Sequence, residues 1–362
     1  MKIICVVGAR PNFMKIAPLM REMLRYPEIR PVLVHTGQHY DPEMSDVFFT
    51  DLEIPPPDLH LGVGSGTQAE QTGKVMVAFE AVLEKGGGDL VLVVGDVKST
   101  LACSVVSAKK GIAVAHVEAG LRSFDRSMPE EINRIVTDAL STYHFTTSRD
   151  ADQNLIREGA SKERIYFVGN VMIDTLLRYS AKAAASSIRQ DLGLKGDYAL
   201  LTLHRPSNVD EAEPLRKIFK ALEVVSQSLP IVFPAHPRTR KMLEGFGISA
   251  GGGKLKMIEP MGYLDFIHLE THARLVLTDS GGIQEETTVL GVPCLTLREN
   301  TERPVTLTEG TNVLVGNNTE RILEEATRVL QGNSSVKKVP ELWDGKTSER
   351  IVSRLRTIGG LA

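Results

Sequence analysis

Three acidic residues in the first half of the chain stand where strand-like or helix-like segments begin or end. Asp96 follows an apolar run, Glu118 continues the next run, and Glu130 stands at a helix start directly behind a proline. The helix dipole explains Glu130 or its neighbour Glu131. It does not explain Glu118, because a carboxylate on the continuation of an apolar strand is costly to bury without a task. We predict that these carboxylates meet at one sheet edge.

Two cations bracket the helix start that follows the first apolar run. Arg10 and Lys15 belong to Gly8-Ala9-Arg10-Pro11-Asn12-Phe13-Met14-Lys15, which lacks the further glycines of a phosphate loop or a dinucleotide fingerprint. The free N–H groups and the dipole of a helix start nevertheless favour an anion. A diphosphate is one expected ligand. The alternative is a solvated Arg and Lys at an ordinary helix entrance.

Histidine and arginine follow two successive apolar runs in the second half. His204 and Arg205 come after the run 199–203, and His236, two residues before Arg238, comes after the run 231–233. A single histidine in such a place is more often structural. Two such pairs favour recognition of an anion or a sugar. Because the sequence has no His-Glu-x-x-His or Cys-x-x-Cys spacing, we predict no bound metal.

The most specific segment follows the apolar run 275–277. It reads Asp279-Ser280-Gly281-Gly282-Ile283-Gln284-Glu285-Glu286. A serine and glycines at a helix start let backbone N–H groups approach a phosphate, which predicts phosphate binding by Ser280, Gly281 and Gly282. One turn further along, the Glu286 carboxylate could accept hydrogen bonds from a ribose diol. Downstream, Arg303 offers another cation in Thr301-Glu302-Arg303-Pro304.

Short apolar runs alternating with amphipathic stretches must position these residues. Runs buried on both faces and separated by helices predict parallel strands in βαβ units. The runs are 3–7, 31–36, 90–94, 112–116 and 143–146 in the first half, and 199–203, 231–233, 255–258, 275–278, 294–297 and 312–315 in the second. We therefore predict two doubly wound α/β domains. In such sheets, ligands bind beyond the carboxyl ends of the strands.

We place the domain boundaries where the alternation of apolar runs and amphipathic stretches begins again. We predict a Rossmann-like domain over residues 1–169 that carries the catalytic carboxylates and another over residues 170–345 that binds the nucleotide. The remaining residues, 346–362, contain a helical pattern after a long polar loop. We expect that helix to be an appended element that packs back on the first domain.

The overall charge and the cysteines limit the class of protein. The formal net charge of -3 gives no field that would recruit nucleic acid or an anionic membrane. Cys5, Cys103 and Cys294 are far apart in apolar runs, which is typical of buried thiols in a reducing compartment. The chain starts with a strand-like run instead of a signal peptide, and no segment is apolar enough to span a bilayer. We predict a cytoplasmic protein.

Eight motifs in sequence order resemble the UDP-N-acetylglucosamine 2-epimerase family of the non-hydrolysing type. They are Gly8-Ala9-Arg10-Pro11, Thr36-Gly37-Gln38-His39, Gly95-Asp96, His116-Val117-Glu118-Ala119-Gly120-Leu121-Arg122, Pro129-Glu130-Glu131-x-Asn133-Arg134, Thr202-x-His204-Arg205-x-x-Asn208, Asp279-Ser280-Gly281-Gly282-x-Gln284-Glu285-Glu286 and Thr301-Glu302-Arg303-Pro304. The resemblance covers nearly the whole chain.

The resemblance implies the glycosyltransferase B architecture, with two Rossmann-like domains facing each other across a cleft, and a homodimer. It implies interconversion of UDP-N-acetylglucosamine and UDP-N-acetylmannosamine without a cofactor: UDP is eliminated as the C2 proton is removed, and it adds back to the 2-acetamidoglucal after reprotonation on the other face. The roles implied are catalytic for Asp96, Glu118, Glu130, His204 and Lys15, and substrate-binding for Arg10, Arg205, His236, Ser280, Gly281, Gly282, Glu286 and Arg303.

The chain departs from many bacterial relatives at one place. Those continue Gln-His with Arg-Glu-Met, in a region used for activation by a second substrate molecule, whereas this chain reads Gln38-His39-Tyr40-Asp41-Pro42-Glu43-Met44. The divergence leaves room for a modified substrate such as a UDP-2,3-diacetamido uronic acid. A hydrolysing 2-epimerase, a glycosyltransferase of the same fold and a non-catalytic UDP-sugar sensor are three further hypotheses for a chain with these motifs.

Overall fold

Strands and helices alternate along the chain in the computed structural model, which describes residues 1–37, 52–249, 254–333 and 338–361. The strands are β1 (Lys2–Val7), β2 (Arg30–His35), β3 (Leu59–His60), β4 (Leu90–Val94), β5 (Ala113–Ala119), β6 (Tyr143–Thr146), β7 (Ile165–Phe167), β8 (Ala199–Thr202), β9 (Ile231–Pro234), β10 (Leu255–Ile258), β11 (Leu275–Thr278), β12 (Cys294–Thr296) and β13 (Asn312–Leu314). Each predicted run coincides with a strand to within a few residues.

The helices fill the intervals between the strands. They are α1 (Arg10–Met23), α2 (Gln68–Gly86), α3 (Lys98–Lys109), α4 (Pro129–Leu140), α5 (Arg149–Arg157), α6 (Val171–Ala183), α7 (Ile188–Asp191), α8 (Pro206–Val209), α9 (Ala212–Ser228), α10 (Pro237–Gly245), α11 (Tyr263–Thr271), α12 (Gly281–Leu290), α13 (Val305–Thr308), α14 (Thr319–Leu330) and α15 (Thr347–Ile358). Local sequence explains several starts. Thr67 and Glu70 form a capping box at α2, and Pro129 opens α4 with two acids in its first turn.

The strands of the described residues form two parallel sheets. The first has the order β3-β2-β1-β4-β5-β6-β7 and the second the order β10-β9-β8-β11-β12-β13. Apolar side chains from both faces of the central strands are buried under the helices, as in β4, where all five residues are buried. The sheets confirm the predicted α/β class with two Rossmann-like domains.

The chain divides into two compact units. Unit 1 comprises Met1–Arg178 and Glu341–Ala362, and unit 2 comprises Tyr179–Pro340. The first division therefore falls inside α6 instead of after residue 169. The reason is that the first half of α6 belongs to unit 1, where Thr175 donates to the Met14 carbonyl and the Asp174 carboxylate accepts from the backbone of Thr347 and Ser348.

The C-terminal helix belongs to the first unit. Helix α15 packs against α1, and Arg356 on α15 donates to Glu28 at 2.8 Å. The same segment supplies Trp343, which is buried and donates from Nε1 to the Thr147 carbonyl at 2.9 Å. In the described ranges, no helix combines the length and the apolar character needed to cross a membrane.

Candidate functional site

Four of the predicted residues lie in segments at the point in each sheet where the strand order reverses. In unit 1 that point lies between β1 and β4, and in unit 2 it lies between β8 and β11. Loops beyond the carboxyl ends of such neighbouring strands diverge and leave a crevice for a ligand. The segments that follow β1 and β4 carry Lys15 and Asp96, and the loops after β8 and β11 carry His204 and Ser280.

Asn12 joins the two loops at the reversal point of unit 1. Its Oδ1 accepts from the backbone N–H groups of Gly8 and Ala9 at 3.2 and 3.1 Å, and its Nδ2 donates to the Val94 carbonyl at 2.9 Å. The side chain is 1% exposed. The sequence marks Asn12 only as a member of a motif, and these long-range contacts give it a structural task. It fixes the position of α1 against the end of β4.

Lys15 and Glu118 form an ion pair in the interior of unit 1. The Lys15 Nζ contacts Glu118 Oε2, and both side chains are buried. Gly95 makes room for the lysine, because a Cβ at that position would lie 2.7 Å from Nζ, and its φ of +66° favours glycine. The structure thus brings together residues from the ends of β1, β4 and β5.

The backbone of Glu118 is strained. Its φ is +75°, which is rare for a residue other than glycine, and the pairing of β5 with β6 shifts register between Val117 and Ala119. Such a bulge re-aims a side chain, at a strain of about 1–3 kcal/mol. The sequence predicts a strand ending at residue 116, whereas β5 continues to Ala119. Glu118 is the residue that the bulge turns toward Lys15.

Asp96 is held by two residues of α4. Its carboxylate pairs with the buried Arg134 guanidinium, and its carbonyl accepts from Asn133 Nδ2 at 2.8 Å. About a fifth of the Asp96 side chain, 22%, is exposed. These two contacts with Asp96, just after β4, explain why Asn133 and Arg134 occur together in the sequence motif.

Glu130 and Glu131 have different surroundings although they are neighbours in the sequence. Glu131 is 1% exposed and accepts hydrogen bonds from Ser123, Phe124 and Arg134. These contacts fix the loop before α4, so Glu131 has a structural role. Glu130 is partly exposed. Its charge acts on Lys98, whose pKa is lowered by burial and raised in part by Glu130.

A buried histidine–aspartate pair supports the loops of unit 1. His116 Nδ1 lies 2.6 Å from Asp138 Oδ1 and its Nε2 lies 2.9 Å from the Gly95 carbonyl. Both ring nitrogens therefore lie within hydrogen-bonding distance of an oxygen, which fixes the orientation of the ring. Asp138 also accepts from Gly120 N and pairs with Arg122. Burial alone would raise the pKa of Asp138, but His116 and Arg122 outweigh it and hold that pKa at about 2.

In unit 2, a second histidine–aspartate pair spans the reversal point. His204 Nδ1 lies 2.9 Å from Asp279 Oδ1, and the His204 side chain is 53% exposed. The carboxylate of Asp279 also accepts from the backbone N–H groups of His204 and Arg205 and from Asn208. Although burial opposes ionisation, His204 and these donors lower the Asp279 pKa. Asp279 therefore orients His204 and leaves Nε2 available to a ligand.

The first turn of α12 offers backbone donors without a side-chain cap. Ser280 is the N-cap residue, and its side chain makes no capping hydrogen bond. The sequence predicts that Gly281 permits close approach of a phosphate. The structure shows a second reason for glycine at this position, because a Cβ there would clash with the Arg303 guanidinium. Gly282 follows in the same turn and is partly exposed.

Arginines and glutamates form a charged cluster beside that turn. Arg303 donates to Glu285 at 2.6 Å and also pairs with Glu302. Glu302 accepts from Arg298 at 2.8 Å, and Arg205 lies 3.6 Å away. Three arginines thus lie next to a helix N-terminus, where cations and free N–H groups favour an anion. Arg303 is 5% exposed, so it is a fixed part of this cluster.

Glu286 points into the interior of unit 2. Its Oε1 accepts from the Tyr263 hydroxyl at 2.6 Å, and the residue is 1% exposed. Burial raises the pKa of Glu286 to about 7, against the effect of the Tyr263 hydrogen bond. A ligand hydroxyl that reached this carboxylate would form a hydrogen bond little weakened by water.

His236 and Arg10, the remaining predicted residues, stand at the starts of helices α10 and α1. His236 is the N-cap of α10 and accepts from Arg238 N at 3.2 Å, while the Arg238 guanidinium pairs with Asp210. Arg10 begins α1, but its side chain lies outside the described part of the structure, as do Gln38 and His39. Among the described residues, no cluster of three or more His, Cys, Asp or Glu side chains could hold a metal ion.

Comparison with known proteins identifies the family. The family model described as UDP-N-acetylglucosamine 2-epimerase matches residues 21–356. The UDP-N-acetylglucosamine 2-epimerase of Methanocaldococcus jannaschii is 44% identical over 370 residues, covering 99% of this chain and 100% of that protein. The UDP-2,3-diacetamido-2,3-dideoxy-D-glucuronate 2-epimerase of Pseudomonas aeruginosa is 40% identical over 359 residues, covering 98% and 99%.

Solved structures agree with these relatives. The crystal structure of the Methanocaldococcus jannaschii UDP-GlcNAc 2-epimerase in complex with UDP-GlcNAc and UDP has a TM-score of 0.93 at 43% identity, covering 99% of this chain and 100% of that chain. The chain therefore belongs to the UDP-N-acetylglucosamine 2-epimerase family, which confirms the resemblance drawn from its motifs. The matches do not favour a glycosyltransferase.

Proposed function

We propose that this enzyme interconverts UDP-N-acetylglucosamine and UDP-N-acetylmannosamine by inverting C2. The observation that carries the proposal is the buried Lys15–Glu118 pair beside Asp96 at the strand-order reversal of unit 1. Family membership supports the same activity. The proton transfers proposed for these residues need no metal or redox group.

The chemistry assigns separate tasks to the residues of unit 1. The C2 hydrogen is not adjacent to a carbonyl, so an enolate is unavailable, and breaking the anomeric C–O bond generates positive charge on the ring. Asp96, Glu118 and Glu130 are carboxylates that can stabilise this charge and transfer the C2 proton. Lys15 is the cation that pairs with the buried Glu118 carboxylate.

Unit 2 is assigned the UDP group. Negative charge grows on the diphosphate as it leaves, and a preorganised donor set lowers that barrier. The first turn of α12, the Arg205–Arg298–Arg303 cluster and His204 are such donors. Arg10 and His236 are assigned to substrate binding from the family motifs, and Glu286 to the ribose diol. Anti elimination then gives a 2-acetamidoglucal, and readdition of UDP completes the inversion.

The experiment that tests the activity is product analysis by NMR. We expect the purified protein and UDP-N-acetylglucosamine to yield UDP-N-acetylmannosamine with the sugar still linked to UDP. Release of free N-acetylmannosamine and UDP would instead show a hydrolysing 2-epimerase. Recovery of unchanged UDP-N-acetylglucosamine would contradict the proposal.

The assembly and location proposed are a homodimer in the cytoplasm. The resemblance implies the dimer, and the three free, buried cysteines are compatible with a reducing compartment. Light scattering should give twice the chain mass of 39.6 kDa. A mass equal to one chain would contradict the dimer.

A further inference from the structure

Two glutamates of unit 2 face each other on adjacent helices. Glu270 on α11 is 0% exposed, and Glu286 on α12 is 1% exposed. Within the described part of the chain, no N–H or O–H group of another residue type donates to either oxygen of Glu270. Its hydrogen-bonding neighbour is Glu286. A buried carboxylate without a donor is strongly disfavoured, so Glu270 is expected to carry a proton.

The proton on Glu270 can form a hydrogen bond to Glu286. A carboxylic acid has a single O–H donor, and the facing Glu286 carboxylate is an acceptor. Burial, and then the charge of Glu286, raise the pKa of Glu270 well above its usual range. Burial also raises the pKa of Glu286, to about 7. The two groups therefore share one proton, with one negative charge for the pair.

Among the described residues, the titratable groups that interact with the pair are the Tyr263 hydroxyl, the Glu285 carboxylate and the Cys294 thiol, none of which is a cation. Glu285 is already paired with Arg303. The remaining contact is the 2.6 Å hydrogen bond from Tyr263 to Glu286 Oε1. Loss of the shared proton would therefore place two like charges in contact.

We propose that Glu270 is a positioning residue for nucleotide binding, which donates its proton to Glu286 and holds that carboxylate singly charged for the ribose diol. This inference rests on the proposed function, which assigns Glu286 to the ribose. A carboxylate has roughly four acceptor positions. Donors from Tyr263 and Glu270 fix its orientation, and the remaining positions accept ribose hydroxyls. The pair is thus selective for a neutral diol over an anionic group at this point of the ligand.

The first test compares UDP affinity across pH by calorimetry. In the wild type, ionisation of the pair as the pH rises above 7 should push the carboxylates apart and weaken binding by about tenfold. Glu270→Gln replaces the acid with a neutral amide donor, so its affinity should match the wild type at pH 7 and lack that decline. Ionisation of the uracil ring affects both proteins equally. Glu223→Gln, an exposed change in α9, should follow the wild type.

The second test reads the shared proton without a ligand, by calorimetric unfolding of the full chain. A carboxyl whose pKa is raised on folding contributes stability below its unfolded pKa, and this is lost as pH rises through the folded pKa. Glu270→Gln removes this loss. Its unfolding temperature relative to the wild type should therefore be higher at pH 9 than at pH 5.

The outcomes separate this inference from the proposed function. Parallel pH curves for wild type and Glu270→Gln in both tests would overturn the shared proton. A divergence in unfolding with equal pH dependence of UDP affinity would overturn the positioning role. Failure of every variant to bind UDP would contradict the nucleotide assignment itself, and the unfolding series would still decide whether the pair shares a proton.

Discussion

The Lys15 ammonium, from the first helix, is ion-paired with the carboxylate of Glu118, from the bulge in β5, and both side chains are buried. The pair links two elements that are far apart in the sequence. Removing one partner would leave an uncompensated buried charge, which is more costly than removing both. The relationship therefore constrains stability as well as chemistry.

A double-mutant cycle measures this coupling. Lys15→Met should destabilise unit 1 by about 3–5 kcal/mol, because Glu118 stays buried without its cation, whereas Lys15→Met with Glu118→Gln should recover most of that loss. Trp343, the one tryptophan of the sequence, is buried in unit 1, so its fluorescence in urea reports the unfolding of that unit. Additive effects of the two changes would contradict the coupling.

Glu130 and Glu131 should respond differently to replacement by glutamine. Glu130→Gln should keep the stability of unit 1 and lose roughly 10²-fold or more in turnover, the usual scale for a general acid or base. Glu131→Gln should destabilise unit 1 instead, since the carboxylate fixes Ser123 and Phe124. Initial rates and Trp343 fluorescence distinguish the two. If Glu130→Gln and Glu131→Gln had equal effects on the initial rate and on unfolding followed by Trp343 fluorescence, the two glutamates would not have different roles.

Asp279 should be needed for turnover although it lies under His204. In Asp279→Asn the amide replaces the carboxylate that lies 2.9 Å from His204 Nδ1, so the His204 ring loses the partner that orients it. We expect a loss of roughly 10²-fold in turnover, and little further loss when His204→Asn is added, because residues acting as a unit are not additive. Asp210→Asn, which removes a surface pair with Arg238, is the matched control. If Asp279→Asn and His204→Asn reduced turnover by independent factors that multiply, Asp279 would not act through His204.

Glu286→Ala should weaken UDP binding. Losing a hydrogen bond to a charged group costs about 1.5–3 kcal/mol, which is roughly tenfold or more in affinity. Calorimetric titration with UDP measures the change directly. An unchanged affinity would remove Glu286 from the ribose site and leave its carboxyl with a structural role only.

The sequence predicts most of the strands because they are local apolar runs, whereas the short, exposed β3 is not predicted. Lengths and ends are less predictable, since β5 reaches Ala119 through a bulge at Glu118, whose side chain contacts the distant Lys15. The pairing of Asp279 with His204 joins loops of different strands, so neither motif alone indicates it. The packing of Gly281 under Arg303 is equally non-local. The family motifs supply the candidate residues, and long-range contacts distinguish Glu130 from Glu131.

The C2 hydrogen offers the most direct test of the account. Inversion at C2 requires that hydrogen to leave as a proton and a solvent-exchanged proton to return on the opposite face. We therefore predict that UDP-N-acetylmannosamine formed in heavy water carries deuterium at C2, as read by NMR. With Asp96→Asn, Glu118→Gln and Glu130→Gln, incorporation should slow by roughly 10²-fold or more while UDP still binds. Product that retains protium at C2, or three variants that epimerise at the wild-type rate, would contradict the proton-transfer mechanism.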